Sequence, residues 1–176
     1  MSYTNQAIDE LIDPFKAVID EDFNKYRNHV VRVYQNCLLL DSNRDNESKY
    51  AIASVYHDIG IWTNHSIDYL EPSIEQAKIY LTQTGKEEWI EEISQMIYWH
   101  HKLSRYEGKY AGTVENFRKA DWIDVSIGLL TFGANKREIG KNRKVYPNRG
   151  FHIFLIKKIA GNLFKHPFNP LPMFTR

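Results

Sequence analysis

A histidine and an aspartate stand side by side at the end of an apolar segment, at His57 and Asp58. Ala51, Val55 and Asp58 follow one another at four- and three-residue steps, the spacing of the inward stripe of a helix. The carboxylate of Asp58 is therefore expected to point toward a core. Because a buried carboxylate is costly unless it is paired or bound to a metal, the sequence predicts that other ligands converge here. Gly60 is expected to end this helix in a left-handed conformation.

Apolar residues recur at helical spacing along most of the chain. In the predicted helix 22–40, the inward stripe includes His29. A later stripe runs from Phe117 through Asp121 to Phe132, and an aspartate in the middle of such a stripe needs a partner. Strand signals are scarce, since β-branched and aromatic residues mostly keep the helical period. We therefore predict an all-α fold, a compact bundle of about six to seven helices.

The same pattern predicts the layout of the chain. No internal repeat or long flexible linker is present, so residues 1–176 are expected to form a single domain. The motifs lie within 22–132, and a basic loop, a final helix and a proline-containing tail are expected over 134–176. Further helices are predicted for residues 5–13, 47–58, 72–84 and 86–101.

Charge and cysteine content limit the possible functions. The formal net charge of +1 argues against bulk electrostatic binding to nucleic acid or to an anionic membrane, so any basic surface must be local. No apolar run approaches the length of a membrane span, and the start of the chain does not have the pattern of a signal peptide. The single Cys37 cannot form an internal disulfide. We expect a cytoplasmic protein.

Four inward-pointing residues form a candidate metal site: His29, His57, Asp58 and Asp121. Imidazole combined with carboxylate suits manganese, iron, cobalt, nickel or zinc better than magnesium or calcium. A lone core histidine more often binds a carbonyl than a metal. Two buried acids with two buried histidines would need many compensating hydrogen bonds without an ion. The sequence therefore predicts a divalent transition metal of unspecified identity.

The order of these residues resembles the HD superfamily of metal-dependent phosphohydrolases, in which an early helical histidine precedes a His-Asp pair and a later helical aspartate. The resemblance extends over about residues 22–132, and the segments 61–70, 117–126 and 147–152 are similar to small bacterial and fungal members. It implies that the four residues hold the metal and that Asp58 also orients the attacking water. Hydrolysis of a phosphate ester or anhydride, of a nucleotide or related phosphometabolite, is the implied activity.

The adjacent pair His100 and His101 resembles a His-His pair of HD proteins that hold two or three metals. The resemblance implies either a second metal bridged by Asp58 or a contact with phosphate. A helix C-terminus, where histidines interact favourably with the helix dipole, is the structural alternative. The chain departs from the dinuclear pattern at Lys25, where some members place a metal-binding glutamate.

A second departure concerns proton transfer. Nucleotidase-like members carry a glutamate three residues after the motif aspartate, and Ile61 occupies that position here. Candidate proton donors are His65, Asp68 and Glu71, with a solvated loop as the alternative. Basic residues near the motifs could bind substrate phosphate or simply face solvent; they are Lys102, Arg105, Arg118, Lys119 and Arg149.

Two other functions stay open at this point. Some HD proteins hold two irons and cleave carbon bonds with dioxygen, and the His100–His101 pair keeps that chemistry available. A non-catalytic module that binds a nucleotide, or RNA through the basic stretch 134–149, is the third possibility. The expected partner is a small phosphorylated substrate, with nucleic acid disfavoured, no membrane partner and homodimer formation left open.

Overall fold

The protein is described by a computed structural model that covers residues 3–64, 68–154 and 156–157, with side chains from residue 6 onward. Within these ranges the fold is all-α and has no strand, and residues 151–154 are also helical. Seven of the nine helices listed next have ten residues or more. The helices are α1 Tyr3–Ile12, α2 Lys16–Ile19, α3 Phe23–Leu40, α4 Glu47–Tyr56, α5 Gly60–Thr63, α6 Leu70–Gln83, α7 Ile90–Trp99, α8 Ala111–Val125 and α9 Lys136–Val145.

Helix α3 lies at the centre of the bundle. It packs mainly against α8 and α4, and α1 and α9 also contact it. The stripe predicted from the sequence is buried, as Tyr26, Val33 and Cys37 are fully inaccessible to solvent. In the part of the chain covered by the structure, no helix is long and apolar enough to cross a membrane.

The connection after α4 differs from the expectation for Gly60. This glycine begins α5 and is not among the residues with positive φ, so the predicted left-handed cap is wrong. The backbone instead tightens over residues 57–59, where Ile59 N–H donates to Tyr56 O at 3.3 Å and Ile61 N–H to Asp58 O at 3.0 Å. Bonds of this three-residue type wind the chain more tightly than an α-helix. Both His57 and Asp58 are buried at this turn.

Helix α8 is shorter than the apolar stripe indicated, because that stripe extends to Phe132. It ends at Val125, and the next turn is closed by a bond from Gly128 N–H to Ile123 O of 2.8 Å. Ile127 and Gly128 both have positive φ, which is the pattern of a Schellman-type ending. The apolar residues after Gly128 keep the helical spacing in the sequence, but they are not part of α8.

The segment predicted to be a basic loop contains helix α9. Asn135 starts this helix, since its side chain accepts from the N–H groups of Arg137 and Glu138. Buried Ile139 fixes one face of α9 to the bundle. The predicted final helix is present over residues 151–154, and the proline-containing tail lies outside the described residues.

Candidate metal centre

Four side chains from distant parts of the chain meet beside α3. His29 lies on α3, His57 and Asp58 on the tight turn after α4, and Asp121 on α8. Each is at most 2% exposed. His29 Nε2 lies 3.0 Å from His57 Nε2, 3.7 Å from Asp58 Oδ2 and 3.6 Å from Asp121 Oδ1. His57 Nε2 lies 3.3 Å from Asp58 Oδ2 and 3.9 Å from Asp121 Oδ1. The structure thus brings the predicted ligand set together.

The hydrogen bonds of the two imidazoles fix where their protons are. His29 Nδ1 donates to Asp124 Oδ2 at 2.8 Å, because an ionised carboxylate can only accept. His57 Nδ1 donates to the carbonyl oxygen of Ser54 at 2.8 Å. In the neutral rings both Nε2 atoms therefore carry lone pairs, and these lone pairs face each other at 3.0 Å. Such a pair is repulsive unless a proton or a metal ion is shared between the two nitrogens.

The donor spacing and two unpartnered atoms fit a divalent transition metal. Ligands at ~2.0–2.1 Å from one ion, at adjacent corners of an octahedron or tetrahedron, lie about 2.8–3.4 Å apart. Within the described ranges, Asp58 Oδ1 and His100 Nε2 are buried without a hydrogen-bond partner, and they lie 3.4 Å apart. Buried polar atoms are rarely left unsatisfied. A mixed set of imidazoles and carboxylates is also the type that such metals prefer.

The electrostatics of the cluster favour a bound cation. Burial opposes a charge on His57, yet the carboxylates of Asp58 and Asp121 outweigh it and raise the His57 pKa to about 9. For Asp58, burial is outweighed by His57 and His100, so its pKa is lowered. Burial raises the pKa of Asp121. The two acids therefore hold positive charge on a buried ring, a charge that a metal ion can replace.

His100 and His101 lie at the end of α7 and extend the cluster. His100 Nδ1 donates to Ile97 O at 2.6 Å, which leaves its Nε2 facing Asp58 Oδ1. The side chain of His101 is 17% exposed, and its Nδ1 lies 3.8 Å from Asp121 Oδ2. Its Nε2 is hydrogen-bonded to the hydroxyl of buried Tyr69. Asp58, His100 and His101 form a second group of atoms close enough to share an ion.

Asp124 and Phe151 also belong to the site, although no role was predicted for them from the sequence. The Asp124 carboxylate binds His29, Arg32 and Arg143 and is 1% exposed. Burial would raise its pKa, but the hydrogen bonds from Arg32 and His29 outweigh burial and lower it. Phe151 stacks on the His29 ring with centroids 4.2 Å apart and an interplanar angle of 20°. The three-residue step from Asp121 to Asp124, on one helix face, was the available signal.

The remaining candidates are more scattered. His65 lies outside the described residues, and Asp68 is partly buried just before α6. Arg118 is buried and binds both carboxylate oxygens of Glu115, so its guanidinium already has an internal partner. The Lys102 ammonium lies 5.0 Å from the Tyr98 ring centroid. Lys119 is partly exposed, and Arg105 and Arg149 are exposed. Phosphate binding by these residues stays a prediction.

An all-α bundle that gathers imidazoles and carboxylates on facing helices has the arrangement from which helical bundles build metal sites. A comparison with family models gives the family, because the model of the HD domain matches residues 26–144. This chain belongs to the HD-domain family. Searches of curated proteins and of solved structures found no match.

Proposed function

We propose that this protein is a metal-dependent phosphohydrolase that cleaves a phosphate ester or anhydride in a nucleotide or a related small phosphometabolite. The observation that carries the proposal is the close approach of the buried Nε2 atoms of His29 and His57, which lie 3.0 Å apart and beside two carboxylates. Membership of a family associated with metal-dependent phosphate hydrolysis supports the reaction class.

Each residue of the cluster has its own role in the proposed reaction. His29, His57, Asp58 and Asp121 hold the ion through the atoms that face the centre of the cluster. The ion supplies a water-derived nucleophile near neutral pH and polarises a phosphoryl oxygen. Asp58 has a second carboxylate oxygen, Oδ1, which accepts from the attacking water and orients it. Phe151 covers one face of the His29 ring and keeps bulk water from that side.

The position of His101 supports a role next to the substrate. It is the most exposed histidine of the cluster among the side chains described here, at 17% against at most 1% for the others. Its ring lies between Tyr69 and Asp121, at the edge of the cluster where a phosphate oxygen or a second metal would approach. The proton donor to the leaving group is proposed among His65, Asp68 and Glu71. Lys102, Lys119 and Arg149 are the basic candidates for neutralising substrate charge.

The second donor group also supports an alternative function. Asp58, His100 and His101 would allow a two-metal centre, which either a dinuclear hydrolase or a di-iron oxygenase requires. For a nucleotide- or RNA-binding module, the supporting feature is the exposed basic surface of α9, with Arg137, Lys141 and Lys144. We prefer the mononuclear hydrolase because one ion is enough for the four side chains that surround His29 Nε2. Buried Cys37 supports a reducing compartment such as the cytoplasm.

Elemental analysis of protein purified without chelator tests the proposal. We expect about one equivalent of a transition metal in the wild type and its loss in Asp58→Ala, because the mutation removes a carboxylate ligand. A screen for phosphate release from nucleotides should then show activity in the wild type that Asp58→Ala lacks. The matched control is Asp9→Ala, which removes a carboxylate that binds Arg27 outside the metal centre.

The metal content also separates the alternatives. Two equivalents of iron would favour the oxygenase. A wild-type protein that neither contains nor takes up metal would contradict the hydrolase and leave the binding module. Metal binding with no release of phosphate from any nucleotide or phosphometabolite would contradict the proposed reaction but not the metal site.

A further inference from the structure

The Asp124 carboxylate is fully occupied by hydrogen bonds. Oδ1 accepts from Arg32 Nε at 2.6 Å and from Arg143 Nη1 at 2.9 Å. Oδ2 accepts from Arg32 Nη2 at 2.8 Å and from His29 Nδ1 at 2.8 Å. A carboxylate offers about four lone-pair positions, and four donors use them here. Asp124 is therefore not available as a metal ligand, in contrast to Asp58, whose Oδ1 is unpartnered within the described part of the chain.

We propose that Asp124 is a positioning residue for the metal centre: it holds the His29 proton on Nδ1 and keeps Nε2 free and aimed at the metal. The inference rests on the proposed function only in that it assumes a metal bound by His29. The two guanidinium groups hold the carboxylate in place. Because the two arginines prevent the Asp124 carboxylate from rotating, the hydrogen bond to His29 Nδ1 fixes the orientation of the His29 ring.

A comparison with His57 and His100 shows why the hydrogen bond from His29 to Asp124 is distinctive. His57 and His100 also donate from Nδ1, but to the main-chain carbonyl oxygens of Ser54 and Ile97. A carboxylate is a stronger acceptor than a carbonyl, and charge-assisted hydrogen bonds are roughly twice as strong as neutral ones. A carboxylate bound to the outer nitrogen also makes the inner nitrogen a better metal ligand. His29 is thus the ligand with the strongest outer support.

The support of Asp124 comes from three parts of the fold. Arg32 lies one helical turn after His29 on α3, and Arg143 reaches in from α9. His152, in the segment after α9, places Nε2 at 3.1 Å from the main-chain oxygen of Asp124. Arg143 belongs to the basic stretch 134–149, and its guanidinium binds the Asp124 carboxylate. The position of α9 is therefore linked to the orientation of His29.

The test compares zinc binding by the wild type, Asp124→Asn and Glu115→Gln. Asparagine places an NH₂ donor against either His29 or the arginines, whichever way its amide is turned. We expect Asp124→Asn to bind Zn²⁺ about 10–100-fold more weakly in a chelator competition. In the zinc-loaded wild type, ¹⁵N-histidine NMR should show a His29 Nδ1 proton that exchanges slowly with solvent, and Asp124→Asn should lose it.

Glu115→Gln is the matched control because Glu115 lies on the same helix, is similarly buried and pairs with Arg118. It should leave zinc affinity and the His29 proton unchanged. If Asp124→Asn does not fold, Arg143→Gln takes its place, with an expected severalfold loss of zinc affinity. Unchanged zinc affinity in the folded variant, or an equal loss in Glu115→Gln, would overturn the inference. Wild-type zinc binding without phosphate hydrolysis would overturn only the proposed function.

Discussion

At the scale of single residues, Gly60 is required by the approach of another segment. A Cβ at this position would lie 2.4 Å from the main-chain oxygen of Tyr69 and 2.9 Å from Ser73 Oγ. The Gly60 N–H also donates to Ser73 Oγ at 2.9 Å. The first turn of α6 therefore lies directly on the turn that carries His57 and Asp58, and this contact depends on the missing side chain.

We expect Gly60→Ala to destabilise the protein by about 1–3 kcal/mol, the usual cost of overpacking against a neighbour that cannot move freely. Gly140→Ala is the matched control, since Gly140 lies within α9 and a Cβ there meets no described atom within 4 Å. Alanine has the higher helix propensity, so this control should gain up to about 1 kcal/mol. Urea unfolding of both variants measures the difference. Equal effects in the two variants would contradict the packing argument.

The residues of the site differ in how far the sequence could predict them. His29 and Asp121 each stand in an apolar helical stripe, and such a position already requires a partner in the core. For Asp124 the three-residue step from Asp121 is a weaker signal, because its donors Arg32 and Arg143 lie 92 and 19 residues away along the chain. The contacts that identify it exist only after folding. The same holds for Phe151, whose ring covers His29.

At the scale of elements, the helices were easier to predict than their ends. The stripe of α3 was predicted correctly because its apolar period is long. The extension of α8 to Phe132 was wrong because Ile127 and Gly128 turn the backbone while the apolar spacing continues. Helix α9 was missed because its residues are mostly polar and charged, and its start depends on one side chain, Asn135.

Asn135 gives a direct test of how α9 is held. Its side chain satisfies two N–H groups at the start of the helix. We expect Asn135→Ala to cost about 1 kcal/mol, whereas Asn135→Gly should cost only a few tenths, since glycine is tolerated at this position. Thermal unfolding of the two variants measures this. A larger loss in the glycine variant would show that the side-chain cap does not stabilise α9.

At the scale of the whole molecule, the net charge of +1 conceals an uneven distribution. The basic residues of α9 lie on one part of the surface, while the buried candidate metal centre contains the carboxylates of Asp58 and Asp121. Composition alone could exclude bulk binding to polyanions but could not show where charge is concentrated. The single-domain organisation of residues 1–176 stays a prediction.

The candidate metal centre joins α3, the turn after α4, and α8, so an ion bound there should stabilise the whole fold. An ion that binds only the folded state at a free concentration of 100 times its Kd contributes about 2.7 kcal/mol. For a chain of this size that corresponds to a rise in Tm of roughly 5–10 °C. We expect Zn²⁺, Mn²⁺ or Co²⁺ to produce this rise in chelator-treated protein, and Ca²⁺ to produce less, because a site containing two imidazoles suits it poorly.

Asp121→Ala is the decisive variant in this experiment. The variant removes a carboxylate that approaches both His29 and His57. Because that carboxylate makes none of the hydrogen bonds that hold α9, the variant should still fold. It should lose the metal-dependent rise in Tm. Glu115→Gln, on the same helix, should keep the full rise. A rise of the same size in Asp121→Ala would place the stabilising ion elsewhere in the protein. That result would contradict the assignment of the four-residue cluster as the metal centre.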